Sequence, residues 1–517
     1  MKALLYIAIS ATLMMAAAGC TKLDVPVESQ LTTIPNTQEG YVAATGSVYQ
    51  KMSSQSFAVD FWRVIELSTD EAMIPNRNGS YYDNGSYIKL HKHTWTSSDL
   101  DAPWNWGYSG ISECNRVLNL LSKSDSSALR TQFTAEIRTM RALFYFYMMD
   151  LYGNVPITTY GSTASPTQST RAEVFNYIES ELLAAVPGLG APSTVTLEYY
   201  GRPTLWMAYA LLQKLYLNAE YYTGTARYDD AVTYGNKIMS ESGLSLEKNY
   251  MGLFSPDNTA NNETIFVAVF DANKATGNYF TRYTLHGTLK AKYGLNFSPS
   301  NAMCTSPEFF DLFSLTGDAR DTTWLSGLQY DFAGNKIMNG SYQLNLTREI
   351  TLTDAATMNV GAEVNGVSCG ARSIKFYPDP NAVNRYQNND IPVLRLADVY
   401  LMYAEAVLRG GTGGTVGDAV NYVNKLRERA YQNTAGNINA ATLTLDFILA
   451  ERGRELFWEC TRRTDLIRYG RFTGGDYLWQ WKGGSVNGQS VDTKYNLYPI
   501  PTTDLASNPN LIQNSGY

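Results

Sequence analysis

The segment Gly366-Val-Ser368-Cys-Gly370 has the G-x-S-x-G form of a serine nucleophile elbow. Such an elbow needs a buried strand before the serine and a helix after it. Here AEVN precedes the motif and the alternating SIKFY follows it. The triad order also places histidine after serine, yet His91, His93 and His286 all come earlier. The match reads as incidental. His91 and His93 stand two residues apart and could share a strand face, but no third ligand lies at metal spacing. They read as a satisfied or solvent-facing pair, with neither metal nor cofactor. No phosphate loop and no H-E-x-x-H helix is found in the sequence. Glycoside hydrolysis by paired carboxyl groups depends on separation in space, which 48 acidic residues leave open.

The residues suited to binding are aromatic. The chain has 37 Tyr, and aromatics reach 13% beside only 17% charged residues. Tyrosine joins an apolar ring to a polar tip, so it suits broad wet surfaces as well as cores. Between Arg77 and Trp95 the tetrapeptide NGSY occurs twice, at Asn78–Tyr81 and Asn84–Tyr87, with Tyr82 and Asp83 between. Asn-Gly turns separated by tyrosine predict a loop or hairpin that displays rings. Two W-x-W pairs follow, Trp104/Trp106 and Trp479/Trp481. The second lies between Gly-rich stretches and is assigned to the core.

A helical frame must position these rings. Its centre is Glu136–Thr158, where Ile137, Met140, Phe144, Tyr147 and Leu151 recur at three- and four-residue steps. No charge occurs from Ala142 to Met149, so this helix is apolar all round and needs neighbours on every side. Gly153 stops it and Pro156 prevents resumption. Arg138 and Arg141 share one face and are expected to brace neighbouring helices. Trp104–Leu121 predicts a helix with Trp104, Tyr108, Ile111, Asn115 and Leu118 on its buried stripe, so Trp106 faces elsewhere. Shorter helices are read at Gly40–Met52 and Ala172–Val186. Pro203–Tyr222 with Tyr228–Ser240, and Arg395–Arg409 with Asp418–Ala430, read as two degenerate tetratricopeptide-like pairs. Thr415-x-x-Asp418 has the form of a capping box. Between the pairs, Asn262–Tyr386 is rich in Gly, Asn and Thr, with short strands at Ile265–Phe270 and Ser373–Tyr377. The Arg/Glu-dense ERGRELFWECTRRTDLIRYGRF predicts a network of surface or half-buried ion pairs. The Pro/Asn-rich end predicts an extended strap.

Residues 1–19 read as a secretory signal, with Lys2 ahead of an apolar run, Ala3–Ala18, too short to span a bilayer comfortably. The run ends AAAGC, similar to a bacterial lipobox with Cys20 as the lipidated residue, although Ala17 stands where Leu is commonest. Such a bacterial signal argues against glycosylation of the two Asn-Gly-Ser sequons. Residues 20–37 then form a tether and 38–517 a single domain, with the looped elaboration at about 262–386. Cys114, Cys304, Cys369 and Cys460 have no C-x-x-C spacing and read as scattered buried thiols. A net charge of −7 argues against nucleic acid or an anionic membrane surface as the main partner.

Five stretches, in order along the chain, resemble the RagB/SusD family. They are the lipobox, the W-x-x-x-Y helix, the central R-x-x-R-A-x-x-Y…L-Y-G-x-V-P-I, IPVLRLADVYLMYAEA, and ERGRELFWECTRRTDLIRYG with LYPIP…NPNLIQNSGY. Cys460 stands where that family usually has Gly, and Ser515 where it has Pro. The resemblance implies a mainly α fold, a superhelix of tetratricopeptide-like pairs with a loop-rich, short-strand insertion. It implies a lipid-anchored outer-membrane protein on the cell exterior. Such a protein binds oligosaccharide without catalysis and delivers it to a SusC-like TonB-dependent transporter. Carried to this chain, the family's site falls on Arg77, Tyr81, Tyr82, Asp83, Trp95 and Trp106, then Tyr293 and Trp324. The competing readings are a helical-repeat adaptor without a glycan site and a lipid-anchored glycoside hydrolase.

Overall fold

The computed structural model describes residues 34–162 and 164–517. The signal at 1–19, the lipidation at Cys20 and most of the tether at 20–37 lie outside the described residues. The architecture is mainly helical. In chain order its principal helices are α1 (Gln38–Tyr49), α2 (Ser86–Lys92), α3 (Asp101–Ser122), α4 (Ala128–Tyr152), α5 (Arg171–Ala185), α6 (Leu205–Leu217), α7 (Tyr228–Glu241), α8 (Leu396–Leu408), α9 (Val416–Tyr431), α10 (Leu445–Leu456) and α11 (Arg462–Arg468).

α4 is the organising element. The Ser127 hydroxyl accepts the Arg130 N–H at 3.0 Å and caps its start, and Gly153 at φ +73° ends it. Every residue from Ala142 to Met149 is buried except half-buried Tyr147. The neighbours that an all-apolar helix requires are α1, α3 and α5. Arg138 reaches Glu181 of α5 at 2.8 Å, and Arg141 reaches the same carboxylate at 2.9 Å. These arginines brace helices, as their shared face suggested.

Consecutive helices pack as pairs, α4 on α5, α6 on α7 and α8 on α9, and α7 against α8 joins the last two into a superhelix. Gly235 of α7 allows the close approach, since a Cβ there would lie 2.6 Å from the Gln213 amide of α6. The capping box at Thr415 and Asp418 opens α9, and a second at Thr170 and Glu173 opens α5. Thr204 caps α6, so Pro203 sits just outside the helix, not in its first turn.

The segment between α7 and α8 is built of turns and two-residue strands, with one longer ladder. Thr264–Ala268 (β1) pairs antiparallel with Ile391–Arg395 (β4), and Trp324–Leu325 (β2) with Arg372–Ser373 (β3). β4 has no counterpart among the strands expected from the sequence, where IPVL figures only in a family-like stretch. It is fully buried, and a short apolar run of that kind suits a strand or a buried helix equally.

The Arg/Glu-dense segment does form ion pairs, but in the interior instead of at the surface. Arg395 contacts Glu263 at 2.8 Å, Glu455 at 2.6 Å and Glu459 at 2.7 Å. Arg429 joins Glu263 at 2.9 Å and Glu455 at 2.5 Å, and Arg320 joins Glu451 at 2.9 Å. Burial raises the Glu451 pKa, but Arg320, Arg454 and Arg427 outweigh it and hold the carboxyl at about 2. This network fastens β1, β4, α9 and α10 at one point and anchors the insertion to the frame. The four described cysteines are free, three of them buried. Cys460 has φ +57°, which explains why a glycine is usual at such a position. The carboxy-terminal strap crosses the end of α4, with the Tyr498 N–H donating to Leu151 O at 2.7 Å and Asn514 Nδ2 to Tyr152 O at 2.9 Å.

Candidate functional site

The loop after Arg77 folds as its Asn-Gly steps predict. Arg77 and Ser80 exchange backbone hydrogen bonds of 2.9 and 3.2 Å around Asn78 (φ +53°) and Gly79 (φ +92°), a tight left-handed turn. Tyr81 (φ +62°), Asp83 (φ +42°), Asn84 (φ +53°) and Gly85 (φ +79°) continue in the same region. A bulky residue held at positive φ is strained, and such strain gathers at binding sites. The loop presents Tyr82 and Asp83 to solvent and leaves Tyr81 half-buried.

Beside this loop lies a band in which tyrosines and arginines alternate. Arg63 Nη1 donates to the Tyr87 hydroxyl at 3.1 Å and to the Tyr283 hydroxyl at 3.4 Å, and its Nη2 reaches Asp60 at 3.0 Å. The guanidinium lies 5.4 Å from the Tyr87 ring centre and 5.5 Å from that of Tyr283. Arg282 repeats the arrangement, 5.2 Å from Tyr283 and 5.1 Å from Tyr279. Tyr279 stacks on Tyr386 at 4.8 Å, and their hydroxyls bond at 3.1 Å. Tyr279 and Tyr283 share a face because they are four apart at the short helix Phe280–Thr284. Burial raises the Tyr87 pKa, Arg63 opposes it, and Asp83 adds to the rise, so the loop's carboxylate acts on the band.

A polar groove of about 650 Å³ adjoins the band, lined among others by Lys51, Asp60, Asp101, Asn105, Trp106 and Lys274. Asp60 belongs to both. A second aromatic group sits on the insertion, where Tyr293 meets Phe332 at 5.8 Å and Tyr377 at 5.9 Å. Phe332 is 72% exposed, but Tyr293, read from the sequence as a site residue, is buried (7% exposed) and packs in a core cluster with Leu295 and Phe297.

The other residues read as site candidates from the sequence have interior side chains. Trp95 packs against Tyr495 and Tyr498 of the strap, and its Nε1 donates to the Tyr517 hydroxyl at 2.9 Å. Trp106 does face away from Trp104, but towards Phe57 and Phe61, and donates to Lys51 O at 2.9 Å. Trp324 stacks on Phe457 at 5.1 Å. Arg77 is buried, with its Nε on Ala302 O at 2.9 Å and its Nη1 on Val367 O at 2.7 Å. These four cannot offer a flat face to a ligand, because neighbouring rings or carbonyls already occupy them. The Trp479/Trp481 pair is core, as assigned.

His91 and His93 are buried, not solvent-facing. His91 Nε2 lies 2.9 Å from Gln480 O, and neither His93 nitrogen has a protein partner among the described residues. They end a helix, not a strand. Burial lowers the pKa of both. Ser368 is buried, follows the helical turn Val364–Val367, and donates to Val364 O at 3.0 Å, so the elbow context is missing. Among the described residues no group of three or more His, Cys, Asp or Glu could hold a metal ion.

The Arg63, Tyr279, Arg282, Tyr283 and Tyr386 band was missed. Its one local signal is Tyr279-Phe-Thr-Arg282-Tyr283, two tyrosines at helical spacing around an arginine. Arg63 and Tyr386 come from distant segments and carry no such mark.

Fold and site together define a helical-repeat scaffold that displays a shallow surface of rings, guanidiniums and carboxylates. The SusD family profile matches residues 262–517, and a second, described as starch-binding and associating with the outer membrane, matches 23–217. The chain is 31% identical over 490 residues to the starch-binding protein SusD of Bacteroides thetaiotaomicron, covering 87% of this chain and 84% of that one. It is 26% identical over 509 residues to a SusD-like protein of Bacteroides ovatus, covering 93% and 86%. This chain belongs to the SusD family. Among solved structures, a SusD homolog from B. thetaiotaomicron superposes with a TM-score of 0.75 at 20% identity, covering 95% of this chain and all of that one. Surface glycan-binding protein A of that organism, in complex with laminarihexaose, gives 0.71 at 19% identity, covering 92% and 99%.

Proposed function

We propose that this chain is a non-catalytic, cell-surface glycan-binding lipoprotein that hands oligosaccharide to a SusC-like TonB-dependent transporter. The observation that carries the reading is the band Tyr87–Arg63–Tyr283–Arg282–Tyr279–Tyr386 with the Tyr81–Asp83 loop beside it. A sugar ring has apolar C–H faces and hydroxyl edges. The half-buried rings of Tyr87, Tyr283 and Tyr386 are suited to the faces, and Arg63, Arg282, Asp60 and Asp83 to the hydroxyls. One covered ring face of roughly 50 Å² contributes about 1.3 kcal/mol at ~25 cal/mol/Å². Three give ~4 kcal/mol, millimolar before hydrogen bonds, which suits capture followed by release. Relatives named for starch binding and solved with laminarihexaose support a glucan-type ligand. The lipid on Cys20 and the tether would hold the domain at the outer membrane. Phe332, seated on Tyr293, offers the same ligand a second contact on the insertion.

The test is a glycan array with the full chain carrying Cys20→Ser, including α- and β-glucan oligosaccharides. Binding without release of reducing ends is the expected result. Reducing ends appearing over time would make the protein a hydrolase. A stable transporter complex with no glycan bound would make it an adaptor.

A further inference from the structure

Ten arginines are buried among the described residues, and seven of them hold a carboxylate. Of the remaining three, Arg463 lies over the rings of Phe472 and Tyr498. Arg77 and Arg372 instead adjoin each other. Nη1 of Arg77 donates to Cys369 O at 3.1 Å and Nη1 of Arg372 donates to the same oxygen at 2.9 Å, so the two nitrogens are at most 6.0 Å apart. Their other acceptors are also neutral. Arg77 uses Ala302 O and Val367 O, and Arg372 uses Gly370 O, Ser368 O and Asn301 Oδ1. Arg77 Nη2 and Arg372 Nε are buried and have no protein acceptor among the described residues. Two like charges thus sit together in the interior with no counter-charge, an arrangement proteins avoid unless something neutralises it.

The neighbouring titratable groups do not neutralise it. Burial pushes the Cys369 thiol up, towards the neutral form. Burial, Arg372 and Arg77 lower His286 to about 4, so it is neutral near pH 7 and adds no charge of its own. We propose that Arg77 and Arg372 form an internal site for a small monovalent anion, a halide such as chloride, held by the free N–H groups Arg77 Nη2 and Arg372 Nε. The site lies beneath the candidate binding loop. Arg77 closes the turn that opens the Tyr81–Asp83 loop, and Arg372 stands on β3. A bound halide would fasten that loop to the insertion.

The test uses the full chain carrying Cys20→Ser. Thermal unfolding is measured at constant ionic strength in sodium chloride, sodium bromide and sodium gluconate, whose anion is too large to enter. Crystals grown in bromide are measured at the bromine edge. The expected result is a higher Tm in both halides than in gluconate, loss of that difference in Arg372→Met, and an anomalous peak beside Arg77 Nη2 and Arg372 Nε. Equal Tm values in the three salts, a halide effect retained in Arg372→Met, or no bromide peak at the pair would overturn the proposal. The crystal decides even where Arg372→Met does not fold.

Discussion

Replacing Tyr82 by alanine should separate recognition from stability. Tyr82 is 38% exposed and lies at φ −68° and ψ −47°, a conformation alanine adopts without strain. Its ring faces solvent beside Asp83, so truncation opens no internal cavity. If one sugar face covers roughly 50 Å² of that ring, the loss is about 1.3 kcal/mol, or about tenfold in Kd. The melting temperature should stay within a degree or two, since surface substitutions usually change stability by less than about 0.5 kcal/mol. The contrast is Trp106→Ala. Trp106 is 4% exposed and packs 4.4 Å from Phe61 and 5.2 Å from Phe144, ring centre to ring centre. Removing such a buried ring costs about 3–5 kcal/mol of folding stability. Binding lost in that variant would therefore report unfolding, not recognition. Isothermal titration with an oligosaccharide found on the array, paired with a thermal melt, measures both quantities. A Tyr82→Ala protein that binds within twofold of the parent would refute the placement of the site on this loop.

Glu455→Gln should be strongly destabilising. Its carboxylate is buried and meets Arg395 at 2.6 Å, Arg429 at 2.5 Å and Arg320 at 3.1 Å. Leaving buried cations short of a partner costs about 3–5 kcal/mol, to be read from urea unfolding; a loss under 1 kcal/mol would show that water enters the network. Glu66 and Glu71 are buried together, and burial pushes both up, Glu66 to about 7. Unfolded, Glu66 titrates near 4.5, so between the two values the unfolded state binds fewer protons. The contribution is therefore fully present below about 4.5 and is lost as pH rises through about 7. It amounts to roughly 3 kcal/mol by 1.36 kcal/mol per unit. The three histidines, all lowered, act in the opposite sense, so the measure is the difference between Glu66→Gln and parent. That difference should move in favour of the variant from pH 5 to pH 8, and a constant difference would refute the raised pKa of Glu66. Arg141→Met should cost about 1–3 kcal/mol, since it strips one of two partners from buried Glu181 and frees Asn115 Oδ1, while leaving glycan affinity unchanged.

The helical frame was legible because its signals are local. The three- and four-residue recurrence along α4, the Gly153 stop and the Thr415/Asp418 box each lie within one element, and each acts as its spacing implies. The turn at Asn78-Gly79 was legible for the same reason. Burial of individual side chains was not. Trp95 is covered by Tyr495, Tyr498 and Tyr517, some 400 residues away in sequence, and no pattern near Trp95 announces them. Helical spacing correctly turned Trp106 away from Trp104, but α3 is clothed on that side as well, by the turn of helix at Ser56–Phe61. The same limit hid the band. Arg63 lies among buried neighbours on its own helix, and becomes a surface guanidinium only when Tyr87 and Tyr283 arrive from other elements. A large aromatic residue is a poor marker of a glycan surface when read by type alone. The stronger marker is a polar group that keeps rings half-exposed: Arg63 and Arg282 need partial hydration, and so they hold Tyr87 and Tyr283 at the edge of the core.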